Sequence, residues 1–105
     1  MKNKEFTETE LVAGELISKL YKNMKTNRFE LLNSLEMETC DNGSVDLKWY
    51  DKKRNLHINI SRDSNYFSYY GESKKKKIES PEAVTFSKFY REDFYKIKDF
   101  LKSSA

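Results

Sequence analysis

Apolar residues recur about every four positions near the start of the chain, a spacing that is typical of one face of an α-helix. The stripe consists of Val12, Leu16, Ile17, Leu20, Tyr21 and Met24. Thr7 and Glu10 stand just before it and match a capping box, in which each side chain satisfies a free backbone N–H of the other residue. The pattern predicts a helix from about Thr9 to Met24.

The apolar period changes to two after position 44, which indicates β-strands. Alternating runs cover residues 45–50, 56–61 and 66–70, and polar turns over 51–54 and 62–65 separate them. Four-residue turns predict an antiparallel register with Trp49 opposite Leu56, and Ile60 opposite Phe67. The same register places Leu47 opposite Ile58, and Ile58 opposite Tyr69, so the apolar residues share one face.

The remaining segments give less regular signals. Residues 26–43 fit a second short helix around Phe29 and Leu32, followed by an extended stretch from Met37 to Cys40. A fourth strand is predicted over residues 75–79, with Ile78 opposite Phe67. Ser80, Pro81 and Glu82 resemble a helix start, since proline suits the first helical position.

A final helix is predicted from about Lys88 to Lys102. Its apolar stripe consists of Phe86, Phe89, Tyr90, Phe94, Ile97, Phe100 and Leu101. Packing both terminal helices on the apolar sheet face gives a two-layer arrangement. We therefore predict a single α+β domain over residues 1–105, with a three- to four-stranded antiparallel meander and N- and C-terminal helices packed on one face.

Composition and charge narrow the functional classes. Residues 1–47 carry six basic and nine acidic groups, residues 48–77 carry nine and three, and residues 78–105 carry five of each. Such unevenness favours a charged partner. The single cysteine, Cys40, allows no internal disulfide and suits a reducing compartment. With no predicted membrane span or signal peptide, we expect a cytoplasmic protein, and the abundance of Lys and Asn favours a bacterial or phage origin.

Catalytic and ligand-binding motifs are not recognisable in the sequence. The three glycines stand apart, and one histidine with one cysteine cannot form a structural zinc site. In the predicted register His57 faces Lys48 and Tyr70, while Asp46 lies diagonally across from it, so at most one Asp–His dyad is possible. We therefore expect no enzymatic activity, no cofactor and no metal.

The sheet face opposite the apolar one carries the predicted partner-binding residues. Tyrosines offer rigid contact area with a hydrogen-bonding tip and are enriched at interfaces. The predicted set is Lys48, Tyr50, His57, Arg62, Tyr66 and Tyr70, with Lys48 and Arg62 at the rim. We expect binding of another protein, as an inhibitor, an antitoxin or immunity protein, or a phage-encoded modulator. The protein is expected to be a monomer or a dimer formed through an edge strand.

Nucleic-acid binding is the alternative function. The candidate phosphate contacts are Lys52, Lys53, Arg54, Lys74, Lys75, Lys76 and Lys77, with the same tyrosines stacking on bases. The lysine run can instead simply protect an exposed sheet edge from aggregation. A third alternative is an inhibitor of a nucleic-acid-binding enzyme, for which Glu30, Glu36, Glu38 and Asp41 would supply acidic surface.

Overall fold

The computed structural model describes residues 5–25, 28–80 and 82–103. The helical segments are α1 (Glu8–Tyr21), α2 (Arg28–Ser34), α3 (Phe86–Lys88), a π-helical turn (Phe89–Asp93) and α4 (Phe94–Ser103). We call the last three, which follow one another without a break, the C-terminal helix. The strands are β1 (Leu35–Thr39), β2 (Val45–Tyr50), β3 (Arg54–Ile60), β4 (Tyr66–Ser73), β5 (Lys77–Glu79) and β6 (Val84–Thr85).

The predicted capping box begins α1. The Glu10 N–H donates to Thr7 Oγ1 at 3.1 Å, and the Thr7 N–H donates to Glu10 Oε1 at 2.7 Å. The helix ends at Tyr21 rather than Met24, and Asn23 takes a positive φ of 62° just beyond it. Met24 is nevertheless buried, because this turn folds it back into the core.

The antiparallel sheet has the order β1-β2-β3-β4-β5, and β6 also pairs with β4. The predicted register is confirmed, since Trp49 lies opposite Leu56, Ile58 opposite Tyr69, and Ile60 opposite Phe67. The expectation of three to four strands is wrong, because β1 and β6 extend the sheet. The α+β class and the antiparallel sheet agree with the prediction.

The sequence indicated only an extended stretch from Met37 to Cys40, whereas β1 covers Leu35–Thr39 and pairs with β2. Its residues do not alternate in burial, so no strand period is visible. Glu36 and Glu38 are exposed, and Met37 on the opposite side is still 43% exposed because β1 forms the edge of the sheet. β6 has only two residues, too few for any period to show. The expected helix start at Ser80 and Glu82 is wrong for these two residues, which are not helical, and Pro81 lies outside the described residues.

The β4–β5 hairpin is tighter than expected. β5 begins at Lys77 rather than position 75, and Ile78 lies opposite Gly71 rather than Phe67. β5 and β6 therefore pair with successive parts of the same edge of β4, and a short gap separates them. Ser80 spans this gap, since its N–H donates to the Tyr69 carbonyl and its Oγ accepts the Tyr69 N–H, both at 3.0 Å.

The core lies between the sheet and the helices. Trp49 is fully buried, and its Nε1–H donates to the hydroxyl of Tyr21 on α1 at 2.9 Å. Phe67 stacks on Phe89 of the C-terminal helix, with ring centroids 4.2 Å apart. Phe86, expected to extend the apolar stripe of that helix, is 45% exposed because it sits at the helix start. Among the described residues, no helix is long and apolar enough to cross a membrane.

Candidate protein-binding face

The sheet side that points away from the core forms a surface that we call the outer face. Strand alternation and register assign to it Glu36 and Glu38 of β1, Asp46, Lys48 and Tyr50 of β2, Asn55, His57 and Asn59 of β3, Tyr66, Ser68, Tyr70 and Glu72 of β4, and Lys77 and Glu79 of β5. Along β2, β3 and β4, these outer residues alternate with buried residues that face the core. From the strand spacing, the face measures about 20 Å by 20 Å.

Asp46 is the centre of a hydrogen-bonded cluster on the outer face. Its Oδ1 accepts from Asn59 Nδ2 at 2.7 Å and lies 3.0 Å from His57 Nε2, while the Cys40 thiol donates to Oδ2 at 3.3 Å. Burial raises the pKa of Asp46, but the hydrogen bonds from Asn59, His57 and Cys40 outweigh it and hold that pKa below its ordinary value. The Asp–His contact allowed by the sequence is therefore formed.

This cluster holds side chains in place. The Cys40 thiol contacts the Asp46 carboxylate, and His57 contacts the other oxygen of the same carboxylate. The contacts to Asp46 fix the side chains of His57 and Asn59 on the outer face.

Tyr70 is held on the outer face beside His57, its register partner on β3. The Tyr70 hydroxyl donates to Glu72 Oε2 at 2.6 Å, and Lys77 Nζ lies 5.5 Å from the ring centroid. The hydrogen bond to Glu72, together with burial and the charges of Glu72 and Glu79, raises the pKa of Tyr70. Tyr70 thus presents a fixed neutral ring at the middle of the face.

The two most exposed tyrosines of the face do not cluster. Tyr50 is 74% exposed and Tyr66 is 50% exposed. Tyr50 pairs with Asn55, which pairs with Glu72, and Glu72 lies six positions after Tyr66 on β4, or about 20 Å along the strand. They stand at opposite corners, with His57 and Tyr70 between them.

Arg62 lies in the turn between β3 and β4, at the edge of the outer face. Lys48, which was also expected at the rim, lies instead inside the face, between its register partners on β1 and β3. The Arg62 side chain runs over Gly43, the positive-φ glycine of the β1–β2 turn: a Cβ added at Gly43 would lie 3.0 Å from Arg62 Cγ. Its carbonyl accepts from the Thr9 hydroxyl of α1. Arg62 therefore connects two turns with α1 at the end of the sheet where Tyr66 begins β4.

The outer face is acidic, which the basic middle of the sequence did not indicate. It holds five carboxylates (Glu36, Glu38, Asp46, Glu72 and Glu79) and two ammonium groups (Lys48 and Lys77), a formal charge of −3 with His57 neutral. Two of the carboxylates come from β1, an edge strand without alternating burial. Six of the nine basic residues between positions 48 and 77 lie instead in turns: Lys52, Lys53, Arg62, Lys74, Lys75 and Lys76.

Several candidate phosphate-binding residues are already engaged within the protein. The Arg54 side chain is fully buried and lies 2.5 Å from Asp51 Oδ2, so its guanidinium is not exposed to a phosphate. Lys53 pairs with Glu30 at 3.0 Å. Lys76 pairs with Asp99 of α4. Among the described residues, the remaining members Lys52, Lys74, Lys75 and Lys77 form no ion pair, and Lys77 lies over the Tyr70 ring.

Lys52 and Lys74 line one shallow groove at the end of the sheet that carries the β2–β3 and β4–β5 turns. Its volume is about 340 Å³, and Tyr50 and Glu72 line it as well. The structure thus brings two parts of the predicted basic set together, but the carboxylates of Asp51 and Glu72 line the same groove.

Within the described ranges, no group of three or more His, Cys, Asp or Glu side chains is arranged to hold a metal ion. No protein-family model, no curated protein and no solved structure matches the chain. Its function must therefore be argued from its own surfaces.

Proposed function

We propose that the protein acts by binding another protein through the outer face of its sheet. The observation that carries the proposal is the asymmetry of the two sheet sides. One side is buried under α1 and the C-terminal helix, while the other presents Tyr50 and Tyr66 around an ordered polar centre. Rigid aromatic contacts beside fixed polar groups are what protein interfaces use.

The charge of the outer face favours a partner with a basic surface. A formal charge of −3 on about 400 Å² attracts a basic surface and repels an acidic one. This supports the alternative in which the protein inhibits a nucleic-acid-binding enzyme, since Glu36 and Glu38 supply acidic surface for it. A typical interface takes about 800 Å² from each partner, so the contact extends onto the rim near Arg62.

The test is site-specific photo-cross-linking in the native host. A photoreactive phenylalanine replaces Tyr66 on the outer face in one variant and Tyr95, which is 62% exposed on the helical side, in the other. We expect one partner to cross-link to position 66 and not to position 95. Equal cross-linking from both positions, or from position 95 alone, would contradict the proposal.

Affinity measurements on the captured partner then test the residues. The double variant Tyr50→Ala/Tyr66→Ala should bind at least about 30-fold more weakly, which is the loss of one interface hot spot of about 2 kcal/mol. The matched control Tyr95→Ala should bind as wild type does. Thermal unfolding of each variant shows that the change is not caused by unfolding.

Nucleic-acid binding is the second candidate, supported by Lys52, Lys74 and Lys75. Three phosphate contacts predict that the logarithm of affinity for single strands falls with a slope of about −2 against the logarithm of salt concentration. A triple Lys→Gln variant at these positions should abolish binding of a fluorescent oligonucleotide. A wild-type protein that does not bind the oligonucleotide at low salt would remove this candidate.

A further inference from the structure

A second acidic feature lies where the sheet meets the C-terminal helix. The gap between β5 and β6 opens into a cavity of about 410 Å³. We call it the Asp93 cavity. Its lining is formed by Tyr69, Glu79, Glu82, Ala83, Val84, Thr85, Lys88, Glu92, Asp93 and Lys96. Glu79 is also a member of the outer face, so the cavity adjoins the proposed interface.

The buried carboxylate of Asp93 accepts a hydrogen bond at only one of its two oxygens. Its residue is 6% exposed, and the Tyr69 hydroxyl donates to Oδ1 at 2.5 Å. Among the described residues, nothing donates a hydrogen bond to Oδ2. Asp93 lines the cavity, although Oδ2 itself has almost no surface open to solvent, so a guest reaches it only when the carboxylate turns toward the cavity. Buried polar atoms are almost always hydrogen-bonded, so this unpaired oxygen points to a ligand that donates to it.

The local backbone supports this interpretation. Asp93 is the last residue of the π-helical turn Phe89–Asp93. Such single turns inside α-helices are frequently found at functional sites. In this protein the turn ends at Asp93, whose residue is buried and lines the cavity.

The lining selects a cation. Glu79, Glu82, Glu92 and Asp93 outnumber Lys88 and Lys96, so the cavity repels anions. The described carboxylates are not arranged as a metal site, which leaves an organic cation with N–H donors. Guanidinium is the best match, since its planar donors reach one carboxylate while others at the rim balance the charge.

We propose that the Asp93 cavity receives an arginine side chain, with a guanidinium N–H donating to Asp93 Oδ2. The source of that arginine rests on the proposed function: it belongs to the basic partner bound on the outer face. Burial, the hydrogen bond to Asp93 and the charge of Asp93 raise the pKa of Tyr69. Tyr69 therefore stays protonated at neutral pH and keeps Oδ1 occupied, so that Oδ2 is the oxygen left for the guest.

The experiment titrates the protein with N-acetyl-L-arginine amide and follows backbone amide signals by NMR. The same titration with N-acetyl-L-citrulline amide supplies a neutral side chain of the same shape. We expect saturable shifts at Ala83, Val84 and Asp93 with the arginine compound only. Equal shifts with citrulline, or none with arginine, would overturn the proposal.

Variants locate the binding. Asp93→Asn keeps an oxygen that can accept from Tyr69 but removes the charge, and it should weaken arginine binding at least tenfold. Asp99→Asn, an exposed carboxylate on the same helix that pairs with Lys76, is the matched control and should bind as wild type does. Unchanged binding by a folded Asp93→Asn protein would refute the assignment.

Two further measurements keep the test decisive. If Asp93→Asn does not fold, the rim variant Glu82→Gln/Glu92→Gln should weaken binding by a few-fold, and unchanged binding would count against the cavity. N-acetyl-L-lysine amide should bind more weakly than the arginine compound, and equal binding would overturn the choice of guanidinium. Because these titrations need no partner, their failure is distinguishable from failure of the cross-linking at position 66.

Discussion

Replacing glycine with alanine should have opposite effects on stability at Gly14 and at Gly71, which tests the packing around Gly71. Gly14 lies inside α1, and a Cβ added there meets nothing within 4 Å. Gly71 lies on β4, and a Cβ there would stand 3.0 Å from both Ile78 Cγ1 and Leu56 Cδ1. It would also lie 3.3 Å from Phe100 Cε2. The helix therefore has room for an alanine side chain at position 14, whereas the methyl group of an alanine at position 71 would crowd its neighbours.

The magnitudes follow from general energetics. Gly14→Ala should stabilise the protein by about 0.5–1 kcal/mol, because alanine loses less backbone freedom on folding into a helix. Gly71→Ala should destabilise it by about 1–2 kcal/mol, since overpacking costs about 1–3 kcal/mol and the restricted unfolded chain returns about 0.4–1 kcal/mol. The two variants should differ by about 2 kcal/mol, or roughly 10 °C in melting temperature.

Urea unfolding followed by the fluorescence of Trp49 is a suitable assay. Trp49 is fully buried and is the one tryptophan of the chain, so its emission reports loss of the core. Gly43→Ala is the reference for a strained backbone: φ there is +88°, and the substitution should cost about 1–2 kcal/mol. A Gly71→Ala protein as stable as wild type would refute the close approach of β4, β5 and the C-terminal helix.

Three other expectations concern hydrogen bonds and ion pairs. Because the pKa of Asp46 is lowered in the folded state, its contribution is complete above its unfolded pKa of about 4 and is lost as pH falls through the lower folded value. Asp46→Asn should therefore show a shallower decline of unfolding free energy with acidification, and an equal slope would contradict the cluster. Tyr21→Phe leaves the Trp49 indole N–H without its acceptor and should cost about 1–3 kcal/mol by urea unfolding, whereas no loss would refute that hydrogen bond. Asp51→Ala removes the nearest partner of the buried Arg54 guanidinium and should cost about 3 kcal/mol by the same assay; a loss under 1 kcal/mol would show that the guanidinium is solvated.

Local patterns predicted the central elements well. The capping box of Thr7 and Glu10 placed the start of α1, and alternation placed β2 at residues 45–50 with the correct partners on β3. These features depend on residues a few positions apart and on short turns, which constrain the backbone directly. The apolar face of the meander followed from the same period.

The edges of the sheet were not predictable in this way. β1 is recognisable only from its pairing with β2, since its own residues are mostly exposed. β6 exists because the chain returns to the free part of the β4 edge, at Tyr66 and Phe67. Edge strands bury one side weakly and carry few apolar residues, so their pattern resembles that of a loop.

The candidate site shows the same division. Alternation along the meander sufficed to assign Lys48, Tyr50, His57, Tyr66 and Tyr70 to one sheet face. The acidic character of that face, the burial of Arg54 and the half-satisfied carboxylate of Asp93 were decided only by the tertiary structure. Each depends on groups brought together from distant parts of the chain, and charge and burial at a point in space are sums over all neighbours rather than over sequence windows.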